Sequence, residues 1–315
     1  MATINVGEIV ATTLRNRAGE IADDVTNHNA LFMRLKQKGN IRPVDGGRTI
    51  FLPIEYAENA TVGWYSGYEL LSTTPADVLD GSEWDWKQLA GTVSISGLEE
   101  IKNSGKEAVI NLMEARINNL MRSMKNTAAT AVYADGTGSD GKEIGGLQLI
   151  IDDDPTSAGT IGGINQVTYT FWRNQYSAAA ATSAGNILDR MNSMWLSCIR
   201  GTDKPDFIAA DSTEYTFFEA SLQQNQRFSD ASLAEAGFES LKYKTADVFY
   251  DDQCPTKHMY FVNTDYMFLQ PHKSRQFTPL DERNSINQDA TVVPVVWAGN
   301  VTCSNRSLQG VVIDD

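Results

Sequence analysis

Apolar residues recur along the chain with two periods, and the changes between them mark out its elements. Leu14, Ala18, Ile21 and Val25 share one helical face, and Leu31, Phe32 and Leu35 continue the series, so residues 8–38 read as one broken or two consecutive helices. Asn29 suits the N-cap of the second helix and Gly39 its stop. From Arg48 to Tyr56 the pattern alternates, with Ile50, Leu52, Ile54 and Tyr56 on one side, as in a half-buried strand. A partner strand is expected around 83–97. There Trp84 and Trp86 share one parity and Leu89, Val93 and Ile95 the other, which predicts a bulge or strong twist near Gln88. Between the strands runs AENATVGWYSGYELLSTTPADVLDGS, far longer than the about 2–5 residues of a hairpin loop. This excursion has to project or fold over something. Its Trp64, Tyr65 and Tyr68 are either anchors for another chain or a local cluster closing the loop on its own domain.

Residues 98–134 carry the longest helical signal, with Val109, Met113, Ile117, Leu120, Met124, Ala128 and Ala131 spaced by threes and fours and no proline. At about 1.5 Å per residue such a helix spans roughly 50 Å. DGTGSDGK ends it. Beyond residue 144 the pattern is mixed: GGLQLII as a strand, a helix over 184–200, PDFIAA as a strand, and a helix over 211–226 opened by Asp211 or Ser212. ADVFY, HMYFVN, TVVPVVWAG and QGVVI then read as strands, with Pro294 at an edge or bulge. Strands and helices in this order give an α+β class, without internal repeats.

The 315 residues, 42% apolar and 21% charged, suit one large or two ordinary domains. The N-terminus lacks the basic and apolar regions of a secretory signal and no run of 18 apolar residues occurs, so the protein is expected in the cytoplasm where it is made, without a membrane partner. Forty acidic groups against 26 basic ones give a net charge of -14, which repels polyphosphate and argues against a sequence-reading DNA-binding domain. The acids are unevenly placed. Thr49 to Trp86 holds Glu55, Glu58, Glu69, Asp77, Asp80, Glu83 and Asp85 and no lysine or arginine, whereas Arg34, Lys36, Lys38, Lys102, Lys106, Arg116, Arg122 and Lys125 flank it on the preceding and following helices.

Motifs of catalysis are missing. Gly136 to Gly141 matches G-x-G-x-x-G but follows a helix instead of opening one, and Glu143 stands where a P-loop needs Ser or Thr. Cys198, Cys254 and Cys303 are widely separated, which suits packed thiols better than a disulfide framework or zinc site. His28, His258 and His272 have no second ligand at metal spacing. Asp152 to Asp154 fits a solvated turn better than a cation loop. No catalytic, cofactor-binding or metal residue is expected, although groups distant in sequence can still converge in a fold.

The order of elements, together with NALFMRLKQKGNIRPVDGGRTIFLPIEY, GTVSISGLEEIKNSGKEAVINLMEARI, GKEIGGLQLII, TYTFWRNQ and PDFIAADSTEYTFFE, resembles the major capsid proteins of tailed bacteriophages, with the Hong Kong 97 type fold. The resemblance covers nearly the whole chain and rests on the succession of segments. It implies an N-terminal arm at 1–39, an extended E-loop with flanking strands at 40–97, the spine helix of a peripheral domain at 98–142, an axial domain at 143–255, return strands of the peripheral domain at 256–300 and a C-terminal strand at 301–315. It further implies a structural protein of the virion that assembles in the host cytoplasm into hexamers and pentamers and encloses double-stranded DNA. Its partners would be a separate scaffolding protein, a portal protein and, in some shells, a decoration protein. Contacts between subunits would join Trp64, Tyr65, Tyr68, Glu69 and Asp77 of the loop to Lys36, Lys38, Lys102, Lys106 and Arg116 of the arm and spine. Some members cross-link a loop lysine to a neighbour's asparagine; here no lysine lies between Lys38 and Lys87, so no such bond is expected. The alternatives are an encapsulin-type compartment shell with the same fold and a soluble α/β enzyme with a long lid.

Overall fold

A computed structural model describes residues 29–71, 73–74, 77–102, 106–157, 159–179, 181–222, 240–281, 283–284 and 289–314. The helical face of Leu14, Ala18, Ile21 and Val25 lies outside them. The first described helix, α1 (Ala30–Gln37), starts where Asn29 Oδ1 accepts from the N–H groups of Leu31 and Phe32 at 2.9 and 3.2 Å. It stops at Gly39, whose φ of +72° needs a glycine. Ala30, Leu31, Phe32, Met33 and Leu35 are buried.

Strand β1 (Ile50–Glu55) alternates buried and exposed as expected. Its partner β2 (Leu79–Trp84) starts earlier than the pattern suggested, pairing Ile50 with Trp84 and Glu55 with Leu79, so the excursion is residues 56–78. The parity change after Trp84 is not a bulge near Gln88. The strand ends at Asp85–Trp86 and the chain passes to a different sheet, where β3 (Lys87–Ser96) begins. Side chains hold this crossing: Asn300 Nδ2 donates to the Asp85 carbonyl at 2.9 Å and Trp86 Nε1 to the Gly47 carbonyl at 3.0 Å.

Helix α2 (Gly97–Lys102) precedes the long α3 (Lys106–Tyr133), which at about 1.5 Å per residue runs about 42 Å. The glycine-rich segment turns the chain back from its end, with positive φ at Gly136, Ser139, Asp140 and Gly141. Gly146 then meets the end of α3 so closely that a Cβ would sit 2.3 Å from the Val132 carbonyl oxygen. The strand expected at GGLQLII is instead one helical turn, Leu147–Ile150, in which Ile150 N–H donates to the Gly146 carbonyl at 3.1 Å and Leu147, Ile150 and Ile151 are buried. So short an apolar run satisfies either period, and packing under α3 selects the compact one.

The small hairpin β4 (Thr160–Ile161) and β5 (Ile164–Asn165) precedes β6 (Gln175–Ala179), α4 (Ile187–Ser197), β7 (Phe207–Ala210) and α5 (Ser212–Ser221). Asp211 caps α5 by accepting from Glu214 N–H at 2.8 Å. Then come β8 (Ser240–Tyr243), β9 (Ala246–Tyr250), β10 (His258–Val262), β11 (Met267–Pro271), β12 (Thr278–Pro279), β13 (Arg283–Asn284), β14 (Ala290–Cys303) and β15 (Gly310–Asp314). One sheet has the order β6-β15-β10-β7-β9-β8, parallel at β6/β15 and β7/β9 and otherwise antiparallel. Residue parity divides it: Ile208, Met259, Phe261 and Val312 pack under α4 and α5 with Met191, Trp195 and Phe218, while Phe207, Tyr260, Val262 and Val311 face the larger core shared with α1, β1 and α3.

The second sheet is built on β14, which pairs with β3 along Lys87–Ser96 and with β11, β12 and β13 on its other side. Pro294 therefore sits in a strand paired on both sides, not at an edge. Its missing N–H is tolerated because the second partner lapses between β12 and β13, and its carbonyl accepts from Leu280 N–H at 2.8 Å. Because β10 and β15 both belong to the six-stranded sheet, the chain leaves that sheet at Val262 and re-enters it at Gly310. HMYFV is buried on both faces, so its pattern held no sign of which sheet it joins.

Candidate assembly surface

The excursion 56–78 stands on a fixed root. Tyr56 stacks on Phe171 with ring centroids 4.8 Å apart, Glu83 N–H donates to the Gly162 carbonyl at 2.9 Å, and buried Trp84 donates from Nε1 to Ser82 Oγ at 3.1 Å. Its outer turns are closed by polar groups: Asn59 Oδ1 accepts from Thr61 N–H at 3.0 Å and Glu69 Oε2 from Ser66 N–H at 3.0 Å. Apolar side chains take no part in that closure. Trp64, Tyr68 and Leu70 are 104%, 106% and 100% exposed, and Val62, Tyr65 and Leu71 are also exposed. The alternative of a local cluster closing the loop on its own domain is therefore not what the subunit adopts. The described part of the excursion thus offers to water a contiguous apolar surface of the kind by which proteins bind one another.

All seven acids from Glu55 to Asp85 are exposed. The bases expected to meet them from a neighbour fare differently. Lys38 Nζ lies 2.7 Å from Asp265 Oδ1 and 3.1 Å from Asp206 Oδ2, and Arg34 Nε 3.0 Å from Asp206 Oδ2. Arg116 Nη2 lies 2.5 Å from Glu99 Oε1, and this hydrogen bond, with that from Ser96 N–H, holds the Glu99 carboxyl below its usual range. Lys38 and Arg116 thus serve the subunit's own fold. Lys36 and Arg122 are exposed, and the side chains of Lys102 and Lys106 lie outside those described.

A cavity of about 330 Å³ opens beside α3, walled by Phe32, Leu89, Ala128, Ala131, Phe277 and Trp297. Lys87 and Lys142 stand at its rim, and the Lys87 ammonium donates to the Gly141 carbonyl at 2.5 Å. Nothing in the periodicity pointed to it, because its walls come from seven separate stretches of chain. A second feature invisible in the sequence is Arg306, fully buried and, among the described residues, with no carboxylate in salt-bridge contact. Its guanidinium donates to the Ile150 carbonyl at 2.6 Å, Gln166 Oε1 at 3.1 Å, the Trp172 carbonyl at 3.1 Å and Asn174 Oδ1 at 2.9 Å. Burial lowers its pKa to about 10.

The remaining chemical candidates are occupied structurally. Asp152 accepts from Gln166 Nε2 at 2.7 Å, Asp153 pairs with His258 Nε2 at 3.1 Å, and Asp154 accepts from Thr156 N–H at 3.1 Å, which makes the acidic run a held turn. His272 lies edge-on to Trp86 at 5.5 Å, and His28 lies outside the described residues. All three cysteines are free and buried, and burial pushes the Cys198 and Cys303 thiols up to about 12 and raises Cys254 as well. Among the described residues no three His, Cys, Asp or Glu side chains gather as metal ligands, and no helix is long and apolar enough to cross a membrane.

The sequence matches no protein-family model and no curated protein. The fold is far better represented. The capsid subunit of cyanophage A-1(L) superposes with a TM-score of 0.69 at 16% identity, over 88% of this chain and 90% of that one. The capsid subunit of the native GTA particle gives 0.62 at 12% identity over 89% of both. The SrpI encapsulin of Synechococcus elongatus gives 0.56 at 8%, over 88% and 86%. The chain thus has the α+β fold of capsid shell subunits, the Hong Kong 97 type expected from the sequence, over nearly its whole length.

Proposed function

We propose that this protein is a major capsid protein of a tailed phage, a structural subunit without a reaction of its own. The observation that carries the reading is the superposition on the cyanophage capsid subunit over 88% of this chain. In this reading the β1–β2 hairpin with residues 56–78 is the E-loop, α3 with the β14 sheet is the peripheral domain, and the six-stranded sheet with α4 and α5 is the axial domain. Copies associate into hexamers and pentamers that close an icosahedral shell, helped by a separate scaffolding protein and a portal. The exposed loop tip supplies the contact between neighbours. Truncating an aromatic anchor at such a contact costs about 2 kcal/mol or more, whereas an exposed charge pair adds about 0.2–1, so apolar burial holds the contact and charge sets rate and register. The charge of -14 suits a wall that contains DNA without adhering to it.

Likeness to the encapsulin supports a second reading, a protein compartment without DNA. Expression of the chain, followed by size-exclusion chromatography and negative-stain microscopy, tests both against an enzyme. Capsomers or shells are expected; a stable monomer would refute a shell of either kind. Neighbouring genes for a portal and a terminase favour the phage, and their absence the compartment.

A further inference from the structure

The cavity beside α3 has two unlike ends. Its inner wall is made of the buried side chains of Phe32, Ala128, Ala131, Leu269, Phe277 and Trp297, which α1, α3, β11, β14 and the residue before β12 bring together. Its mouth is polar, with exposed Thr127, Ser139 and Lys142 and half-buried Lys87 and Glu143. We infer that the cavity binds a single-chain alkyl carboxylate, its chain against the apolar wall and its head group at Lys87. The inference does not depend on the shell reading.

Water suits the inner end badly. A buried water makes about three hydrogen bonds, and of the six wall side chains only Trp297 carries a polar hydrogen. Size sets the length of the ligand. At about 330 Å³, with about 30 Å³ for each water-sized unit, the cavity takes about ten such units, a chain of about eight to ten carbons with its head group and not a two-chain lipid. Phe277 holds its place in the wall with a φ of +51°, a left-handed conformation that a bulky residue rarely adopts, and strain of this kind gathers at ligand sites. Charge selects an anion. The Lys87 ammonium donates to the Gly141 carbonyl at 2.5 Å and, among the described residues, is in salt-bridge contact with no carboxylate. A half-buried cation whose partner is a neutral oxygen gains from an anion placed beside it. Glu143, the acid of the lining, accepts instead from Ser139 Oγ at 2.9 Å. Lys142 lies 3.7 Å from Asp140 Oδ2 at the exposed surface, where water screens the pair.

The test is isothermal titration calorimetry of the full chain with sodium decanoate. About a dozen non-hydrogen atoms of ordinary ligand efficiency give a dissociation constant on the order of 100 µM, at one site per chain. Hexanoate, with a shorter chain to bury, should bind at least about tenfold more weakly, and tetradecanoate, too long for the wall, no better than decanoate. Decylammonium has the same chain with the opposite charge and should also bind about tenfold more weakly. No heat at decanoate concentrations up to about 1 mM, more than one site per chain, affinity that climbs on to tetradecanoate, or equal affinity for decanoate and decylammonium overturns the assignment. These readings use the wild-type chain alone. Two variants then locate the site. Ala128→Phe fills the cavity and should abolish binding, whereas Lys87→Met should weaken decanoate about tenfold and leave decylammonium no weaker. Unchanged decanoate binding in either variant, with its melting curve showing a folded chain, also overturns it.

Discussion

Replacing Arg306 by Met tests whether a buried cation organises the segment beneath the root of the β1–β2 loop. The guanidinium touches the turn at Ile150, Gln166, Trp172 and Asn174 through four hydrogen bonds and lies over the Trp172 ring at 5.9 Å. Methionine fills much of the same volume but donates nothing, so the Ile150 and Trp172 carbonyls and Gln166 Oε1 lose their partner, while Asn174 Oδ1 keeps the Asp152 N–H at 3.1 Å. An unsatisfied buried acceptor costs about 1–3 kcal/mol, which puts the gross loss from three of them at about 3 kcal/mol at its lowest. Removing the cation returns part of its desolvation cost, taken as about 1 kcal/mol because every donor that points inward is already paired. The expected net destabilisation is about 2 kcal/mol. Arg306→Lys keeps the charge but not the planar fork, and should lie between methionine and wild type. Urea unfolding of the unassembled subunit, followed by circular dichroism, measures the difference. Hydrogen exchange over residues 147–174 should rise in the same variant. A methionine variant within about 0.5 kcal/mol of wild type would show that the four bonds are not organising anything.

At the loop tip, Trp64→Ala and Tyr68→Ala should leave the melting temperature of the isolated subunit unchanged and weaken assembly by about 2 kcal/mol each; an equal loss of monomer stability would count against an assembly role. Glu69→Lys with Asp77→Lys should slow assembly, read by light scattering, more at low than at high ionic strength, and an identical salt response in wild type and variant would remove charge steering from the account. Burial works against the His258 imidazolium, but its hydrogen bonds to Asp153 and the Thr256 carbonyl and the charges of Asp153 and Asp211 outweigh that, so its pKa is raised. Stability from the protonated pair is complete below the unfolded value of about 6.5 and is lost as pH rises through the higher folded value. His258→Gln should therefore destabilise the subunit clearly near pH 5.5 and little near pH 8.5, as judged by urea midpoints; equal losses at both would contradict the pairing.

What the sequence disclosed depended on how local the physics was. The cap at Asn29, the stop at Gly39, the alternation through Ile50, Leu52 and Ile54 and the cap at Asp211 are each decided within a few residues, and each was readable. The parity change after Trp84 was visible, but its meaning was not, because a strand that changes sheets and a strand that bulges leave the same trace. GGLQLII failed because four apolar residues fit two periods and the end of α3 chose between them. HMYFV is apolar on both faces and could not disclose its sheet. The aromatic and acidic character of the β1–β2 loop was plain, yet the engagement of Lys38 with Asp265, distant in sequence, was not.

Both sheets close late in the chain. Lys87–Ser96 finds its partner in Ala290–Gly299, roughly 200 residues further on, and Gly310–Asp314 fills the gap between β6 and β10. Until those strands emerge from the ribosome, β3 has an open edge on each side and the six-stranded sheet lacks an inner member. A growing chain consequently has no stable stopping point, and chains ended before Ala290 should remain protease-sensitive where the full chain resists. In the shell reading this places a length check ahead of assembly: a subunit that was never finished lacks the Asn300 amide that ties the Asp85 carbonyl at the root of the hairpin.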